Sequence, residues 1–432
     1  MKTRSIWIIM VVLSLIMAGC GGSSGADQVV PDEGEGSESI MEREQYPDIS
    51  TENGIELAQG NEAFAFDLYR QLQSSEGNLF FSPYSISLAL AMTYAGAEGE
   101  TEQQMADVLH FTQLQEELHP AFNMLDQELA SREEGPEGQD VEGFRLNVVN
   151  ALWGQQGYDF LPEFLNTLSR NYGAGMNFVD YIGNSEAARQ EINAWVEDQT
   201  ENRIQELIGK GILDELTRLV LTNAVYFNAS WMYPFNSGNT TEGDFLLLDG
   251  TQVTVPMMQQ VSDFKYTDTE GWQVVELPYV GGELSMLVLL PEDGQFSNLE
   301  ASITPEILEK LIDDLAMRNI ALKMPAFETT SSFDLSKKLQ NMGMTDAFSE
   351  DADFSGMDGS EELFISAVLH KAFVSVDEAG TEAAAATAVV MSLKAAMDPP
   401  LEVTVDRPFL FMIRDNPTGT ILFMGRILDP TN

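Results

Sequence analysis

Cysteine is nearly absent: Cys20 is the only one in 432 residues. A lone thiol cannot close a disulfide within the chain or build a cysteine-ligated zinc or iron–sulfur centre. Histidine is almost as scarce. His110, His119 and His370 leave little room for histidine-based metal sites or several acid–base centres. Basic residues number 22 against 69 acidic ones, for a formal net charge of −47. Phosphate backbones repel a surface of that sign, which argues against a nucleic-acid partner. The same excess suits a protein kept soluble in a saline or extracellular medium. The globular part carries no nucleophile elbow, zinc motif or P-loop, so nothing marks an enzyme and no cofactor is expected.

Hydrophobic residues make up 44% of the chain, enough for a large core. Globular patterning begins at about Ile55 and continues to the end without a second linker or an internal repeat. Ahead of it, Lys2 and Arg4 precede an apolar run from Ile6 to Met17, too short for a typical spanning helix. The run ends in Met17-Ala18-Gly19-Cys20, which resembles the lipobox of prokaryotic lipoproteins, although Leu is more usual where Met17 stands. That resemblance implies a signal peptide over 1–19, lipid attachment at Cys20, and a chain held on the outer face of a prokaryotic membrane or cell surface. Ordinary secretion is the alternative. Residues 20–54 are rich in Gly, Ser and acids, with Arg43 as the one base, and read as an acidic flexible tether. A further acidic stretch, 133–142, contains Gly135, Pro136 and Gly138 and reads as a surface loop.

The first half of the globular part is mainly helical in pattern. Ala58 to Leu72 places Phe64, Leu68 and Leu72 at helical spacing. Ser85 to Ala95 predicts a short, deeply buried helix after a strand and turn at Asn78 to Pro83. Glu186 to Thr200 predicts an amphipathic helix with Ile192, Trp195 and Val196 facing inward. Strand composition dominates later, at Leu219 to Phe227, Gln273 to Leu277, Leu284 to Leu290, Asn319 to Met324 and Ala372 to Val376. Glu402 to Val405, Pro408 to Asp415 and Ile421 to Ile427 complete the set. Helices early and strands late predict an α+β domain with large mixed sheets.

One segment contradicts itself. From Ala383 to Leu393 there is no Pro, no Gly and no charge, and the alternate positions Thr381, Ala383, Ala385, Thr387, Val389 and Met391 are uncharged and mostly small. That period-2 set suits a strand buried between two others. Four consecutive alanines favour helix instead. The conflict suits a segment whose resting state is not its most stable one.

Several separated motifs resemble one family. Asn78-Leu79-Phe80-Phe81-Ser82-Pro83-Tyr84-Ser85-Ile86-Ser87 is similar to the buried strand–helix junction of the serpins. Asn147 to Trp153 and Leu221 to Phe227, with Trp231 and Phe235 following, are similar to their central-sheet motifs. Val403 to Phe411 is similar to their C-terminal signature. The resemblance runs from about Ile55 to Pro430. It implies a serpin fold over 55–432, with three β-sheets, eight to nine helices and an exposed reactive-centre loop at about 378–400. It also implies a monomer that inhibits serine proteases as a suicide substrate: a protease cuts the loop, forms an acyl-enzyme, and is deformed when the cut loop inserts into the main sheet.

The resemblance also assigns residues. The hinge is Glu378, Gly380, Thr381, Glu382, Ala383, Ala384, Ala385 and Ala386. Gly380 permits the backbone change, and Thr381 enters the sheet first, where a charge would be costly to bury. The family's loop length puts the reactive bond at Lys394-Ala395. Lys394 is the only base between Lys371 and Arg407 and suits the acidic primary pocket of a trypsin-like protease. Cleavage at Leu393 or Met397 would instead suit chymotrypsin-like, elastase-like or cysteine proteases. Ser82, Ser85, Asn223 and His370 match a buried polar cluster where the sheet parts, and Trp231 matches the aromatic at its top. The family's usual Lys partner for the hinge Glu is replaced by Ala326, so an ion pair to Glu378 is expected to be missing. The segment Gln115 to Glu134 is acidic, so no heparin-like activator is expected. A non-inhibitory serpin acting as carrier or chaperone is the competing reading.

Overall fold

The computed structural model describes residues 42–132, 144–381 and 399–431. The signal peptide, Cys20, most of the tether and the acidic stretch 133–142 lie outside the described residues. So do Glu382, Ala383 to Ala386, Leu393, Lys394, Ala395 and Met397.

Helices and strands run in the order α1 (Thr51–Leu72), β1 (Leu79–Phe81), α2 (Pro83–Tyr94), α3 (Gly99–Leu109), α4 (Gln115–Ser131), β2 (Phe144–Gln155), α5 (Pro162–Tyr172), β3 (Met176–Val179), α6 (Tyr181–Gln199) and β4 (Leu219–Ser230). They continue with β5 (Thr241–Leu246), β6 (Gln252–Thr269), β7 (Trp272–Pro278), β8 (Leu284–Pro291), α7 (Phe296–Ser302), α8 (Pro305–Asp313), β9 (Ala316–Pro325) and β10 (Phe327–Asp334). The last are α9 (Ser336–Met342), α10 (Ser355–Asp358), β11 (Ile365–Val376), β12 (Gly380–Thr381), β13 (Leu401–Thr404), β14 (Phe409–Asp415) and β15 (Ile421–Ile427).

The strands form two hydrogen-bonded networks. Six make one sheet in the order β10-β11-β12-β4-β2-β3. Nine make the other, in the order β1-β15-β14-β8-β7-β6-β9-β13 with β5 on β6. Three sheets become two networks because β6 is long enough to serve both halves of the larger one. It pairs with β5 and β9 along its early and middle part and with β7 at its end. The mixed α+β architecture follows the sequence pattern, but the first half also holds the twelve-residue strand β2. The strands β5, β6 and β10 were not signalled by composition, because their solvent faces are polar.

Helix α2 separates the two networks. It packs on β2 and β4 on one side and on β15 on the other, and every one of its residues is buried. Ser82 caps its start by accepting the Ser85 N–H at 3.2 Å, and Pro83 occupies its first turn. Strands β8 and β15 are buried at every position and read as mainly apolar runs, not alternating ones, with Ser285 and Arg426 as their polar members. Phe80 stacks on Phe411 and Phe423 at 5.7 and 5.0 Å, and Phe227 of β4 meets Phe423 edge-on at 5.4 Å. These rings join the two sheets. Gly425 must be glycine, since a Cβ there would lie 2.5 Å from the Leu79 carbonyl oxygen.

The packed body begins earlier than Ile55. Helix α1 starts at Thr51, where Ser50 accepts the Asn53 N–H at 3.2 Å. Arg43 and Glu44, placed in the tether by their acidic surroundings, are docked on α4 and α5. Helix α6 likewise begins at Tyr181, ahead of Glu186, with a break at Asn184. Replacing Phe80 with Ala removes the ring that Phe411 and Phe423 stack on. It is expected to cost about 3–5 kcal/mol, read as a lower urea midpoint for the native form.

Candidate functional site

The six-stranded sheet has a slot at one end. Strands β4 and β11 pair in parallel from Leu219 opposite Ile365 to Tyr226 opposite Phe373. Beyond that point they part, and β12 lies between them, antiparallel to both. Thr381 sits opposite Val376 of β11 and Ala229 of β4, and Gly380 sits opposite Ser230. Gly380 has no room for a side chain, because a Cβ would fall 2.1 Å from the Ala229 carbonyl oxygen. Thr381 is fully buried.

Side chains from three directions hold this hinge. The Tyr279 hydroxyl and the Thr381 hydroxyl share a hydrogen bond of 2.8 Å. Tyr279 stacks on Trp231 at 4.6 Å, and burial pushes its phenol pKa up, so it stays neutral. The Trp231 indole N–H donates to the Asp377 carbonyl at 3.0 Å, and its backbone N–H donates to the Ala379 carbonyl at 2.9 Å. The Asp377 carboxylate accepts the Ala379 and Gly380 amides at 2.8 and 3.1 Å, closing a tight turn. Phe235 N–H donates to the Glu378 carbonyl. The Glu378 carboxylate accepts the Thr240 hydroxyl, a neutral donor where the sequence comparison expected a missing lysine.

Below the slot a polar latch crosses the sheet. His370 of β11 is in register with Asn223 of β4, which is in register with Asn150 of β2. The His370 Nε2 accepts the Ser82 N–H at 3.2 Å. With Nε2 accepting, the ring proton sits on Nδ1 and is donated to Asn223 Oδ1. The Asn223 amide then donates to Ser85 Oγ and to Asn150 Oδ1, while Asn150 Nδ2 donates to the Ser85 carbonyl at 3.2 Å. Burial lowers the His370 pKa from 6.5 to about 3. A neutral, doubly bonded imidazole here orders structure and has no proton to offer a reaction. Separating β4 from β11 must break the His370–Asn223 bond.

The sheet is zipped below, parted above, and occupied at its mouth by the start of a loop. The family model described as Serpin (serine protease inhibitor) matches residues 59–430. The chain is a serpin. Leukocyte elastase inhibitor A of Mus musculus is 41% identical over 390 residues, covering 87% of this chain and all of that protein. A serpin-like protein of Thermococcus kodakarensis is 42% identical, covering 85% of this chain and 84% of that protein. Among solved structures, uncleaved ovalbumin matches with a TM-score of 0.77 at 28% identity, covering 87% of this chain and all of that one. Human thyroxine-binding globulin matches with a TM-score of 0.79 at 32% identity, covering 88% and 100%.

In this serpin the structure brings together Ser82, Ser85, Asn223 and His370 in the latch and Trp231, Glu378, Gly380 and Thr381 in the slot. Four further residues were not singled out by sequence. Asn150 lay inside a quoted motif, and only its register with Asn223 reveals its part. Asp377 carries a turn signal in Asp377-Glu378-Ala379-Gly380. Tyr279 and Thr240 have no local signature, since they reach the hinge from distant elements.

The latch gives a pH dependence with a definite sign. Unfolded histidine titrates near 6.5 and native His370 near 3, so the unfolded chain binds the extra proton between those values. Stability from this residue is complete above about pH 6.5 and falls as the pH drops toward 3. Between pH 7.5 and 5 it should contribute a loss of roughly 2 kcal/mol. Urea unfolding at both values should show His370→Gln losing less than the parent. Equal losses would mean that the imidazole is not held neutral.

Proposed function

We propose that this serpin inhibits a serine protease as a single-use conformational trap. The seating of Thr381 in the slot between β4 and β11 carries the reading. The residues behind it, Glu382 and then Ala383 to Ala386, are mostly small enough to follow a buried path. Each strand added to a sheet satisfies a ladder of backbone groups, and the two edges facing the slot offer that ladder. A protease held by an ester to Lys394 would be carried along as the segment entered.

Lys394-Ala395 is proposed as the reactive bond, with a trypsin-like protease as target. Leu393 or Met397 is the second reading, favoured by relatives named for inhibition of leukocyte elastase. A carrier role is the other alternative, since one structural neighbour was solved holding thyroxine. The chain is further proposed to be exported and lipid-anchored through Cys20, with residues between the anchor and the body acting as a tether. No helix among the described residues is long and apolar enough to cross a membrane.

Incubation with trypsin, followed by denaturing electrophoresis and intact-mass analysis, tests the trap. The expected result is an SDS-resistant adduct and release of a peptide beginning at Ala395. Incubation with elastase in parallel separates the two specificities. Clean cleavage without adduct by either protease would favour the carrier.

Thr381→Arg provides an internal control. A guanidinium cannot occupy the place of a fully buried hydroxyl without several kcal/mol of desolvation. That variant should be cut at the parental rate yet form no adduct, and its cut form should melt like its uncut form. An adduct yield matching the parent would remove Thr381 from the mechanism.

A further inference from the structure

The only base of the acidic stretch before α1 is not spent on solubility. Arg43 is seated on α4: its Nε donates to Asn123 Oδ1 at 2.7 Å and its Nη2 to Asp126 Oδ2 at 2.7 Å. Its aliphatic stem lies over Gly173, just past α5, where a Cβ would come within 3.0 Å of Arg43 Cδ. Glu44 continues the crossing. Its N–H donates to the Arg170 carbonyl at 2.9 Å, its carboxylate pairs with Arg170 Nε at 2.6 Å, and its carbonyl accepts the Asn123 and Gln127 amides at 2.7 and 2.8 Å. The Arg43–Asp126 pair is largely shielded, with about a quarter of each side chain exposed. Asp126 also accepts the buried Tyr84 hydroxyl of α2 at 3.1 Å.

The two helices so joined belong to different parts of the molecule. Arg132, at the end of α4, is fastened to Asp415 of β14 and to Glu283, just ahead of β8, at 3.0 and 3.3 Å. Helix α5 instead lies in the crossover between β2 and β3, where Phe160 just ahead of it packs on Phe178 of β3 at 5.7 Å. A strand admitted between β4 and β11 widens the six-stranded sheet by about 4.8 Å. The block β4-β2-β3 then shifts away from β11 and β10, and α5 shifts with it relative to α4. Apart from Arg43 and Glu44, the polar ties between the helices among the described residues are the bond between His119 Nδ1 and the Tyr172 hydroxyl at 2.6 Å and a long one from the Asn123 amide to the Arg170 carbonyl at 3.4 Å.

We propose that Arg43 and Glu44 form a staple across α4 and α5 that holds the six-stranded sheet closed, so that release of this segment lowers the barrier to opening the slot. The role rests on the insertion reading above, because only a sheet that opens has use for a brake. A staple at the base of the N-terminal segment also couples that segment to the slot: a cut or a pull between Arg43 and α1 would act on the sheet without touching the loop.

The test uses the full chain and needs no protease. Arg43→Ala is compared with the parent by hydrogen exchange at the amides of β3 and of the β4–β11 ladder, and by the rate of conversion to a heat-resistant form on mild warming. Loss of about 1 kcal/mol of ion-pair and hydrogen-bond energy predicts roughly fivefold faster exchange in both places and roughly fivefold faster conversion. Arg70→Ala, which breaks an exposed pair with Asp67 inside α1, should change neither. Gln127→Leu removes one bond to the Glu44 carbonyl and repeats the measurement should Arg43→Ala fail to fold. Unchanged exchange in β3 and the ladder in the folded variant overturns the staple. If the uncut parent yields no heat-resistant form, the exchange result alone decides whether the staple holds the sheet, and the insertion reading is decided separately by whether the trypsin-cut parent melts above the uncut one.

Discussion

The bond between His370 and Asn223 lies where two neighbouring strands must either stay together or let another in, and much of the molecule serves it. Its geometry depends on the Ser82 backbone N–H donating a hydrogen bond to Nε2, so that the ring proton sits on Nδ1 and is donated to Asn223. Ser82 can do so because it caps α2, and α2 is held between the two sheets by total burial. Asn150 and Ser85 consume the remaining capacity of Asn223, so no polar group in the row is left wanting. Breaking the row exposes several buried groups at once, which makes the closed sheet a stable resting place and its opening an abrupt event.

The upper slot works by a different balance. There the strands have parted, and a two-residue strand satisfies the first pair of edges. Tyr279 comes up from the opposite network to meet Thr381, and Trp231 and Asp377 set the turn behind it. The hinge is therefore anchored over Gly380 and Thr381 in the ladder, with the turn before them held by bonds to the Ala379 and Glu378 carbonyls. Latch and slot lie on the same two strands, β4 and β11, and this continuity lets a change at the mouth reach the middle of the sheet.

Much of this was legible in the sequence. Predominantly apolar runs marked β8, β14 and β15, and helical spacing marked α1. The short-residue helix after Ser82 was visible as small side chains behind a cap and a proline. What escaped had physical reasons. Strands β5, β6 and β10 interleave polar residues with apolar ones and so never form the predominantly apolar run that marks a strand such as β8. Arg43 and Glu44 were hidden by an acidic neighbourhood that fits a tether, because docking by one base and a few backbone bonds leaves no periodic mark. Tyr279 and Thr240 act on residues far away in the chain, and pairings of that kind exist only once the sheets are assembled.

Helix α2 has one more implication. With no face toward water, it acts as a bearing on which the strands above must glide if the sheet is to widen. Ser85, Ser87, Ala89 and Ala91 keep it narrow. Under the proposed trap, bulk added there would jam that travel while leaving the proposed reactive bond untouched.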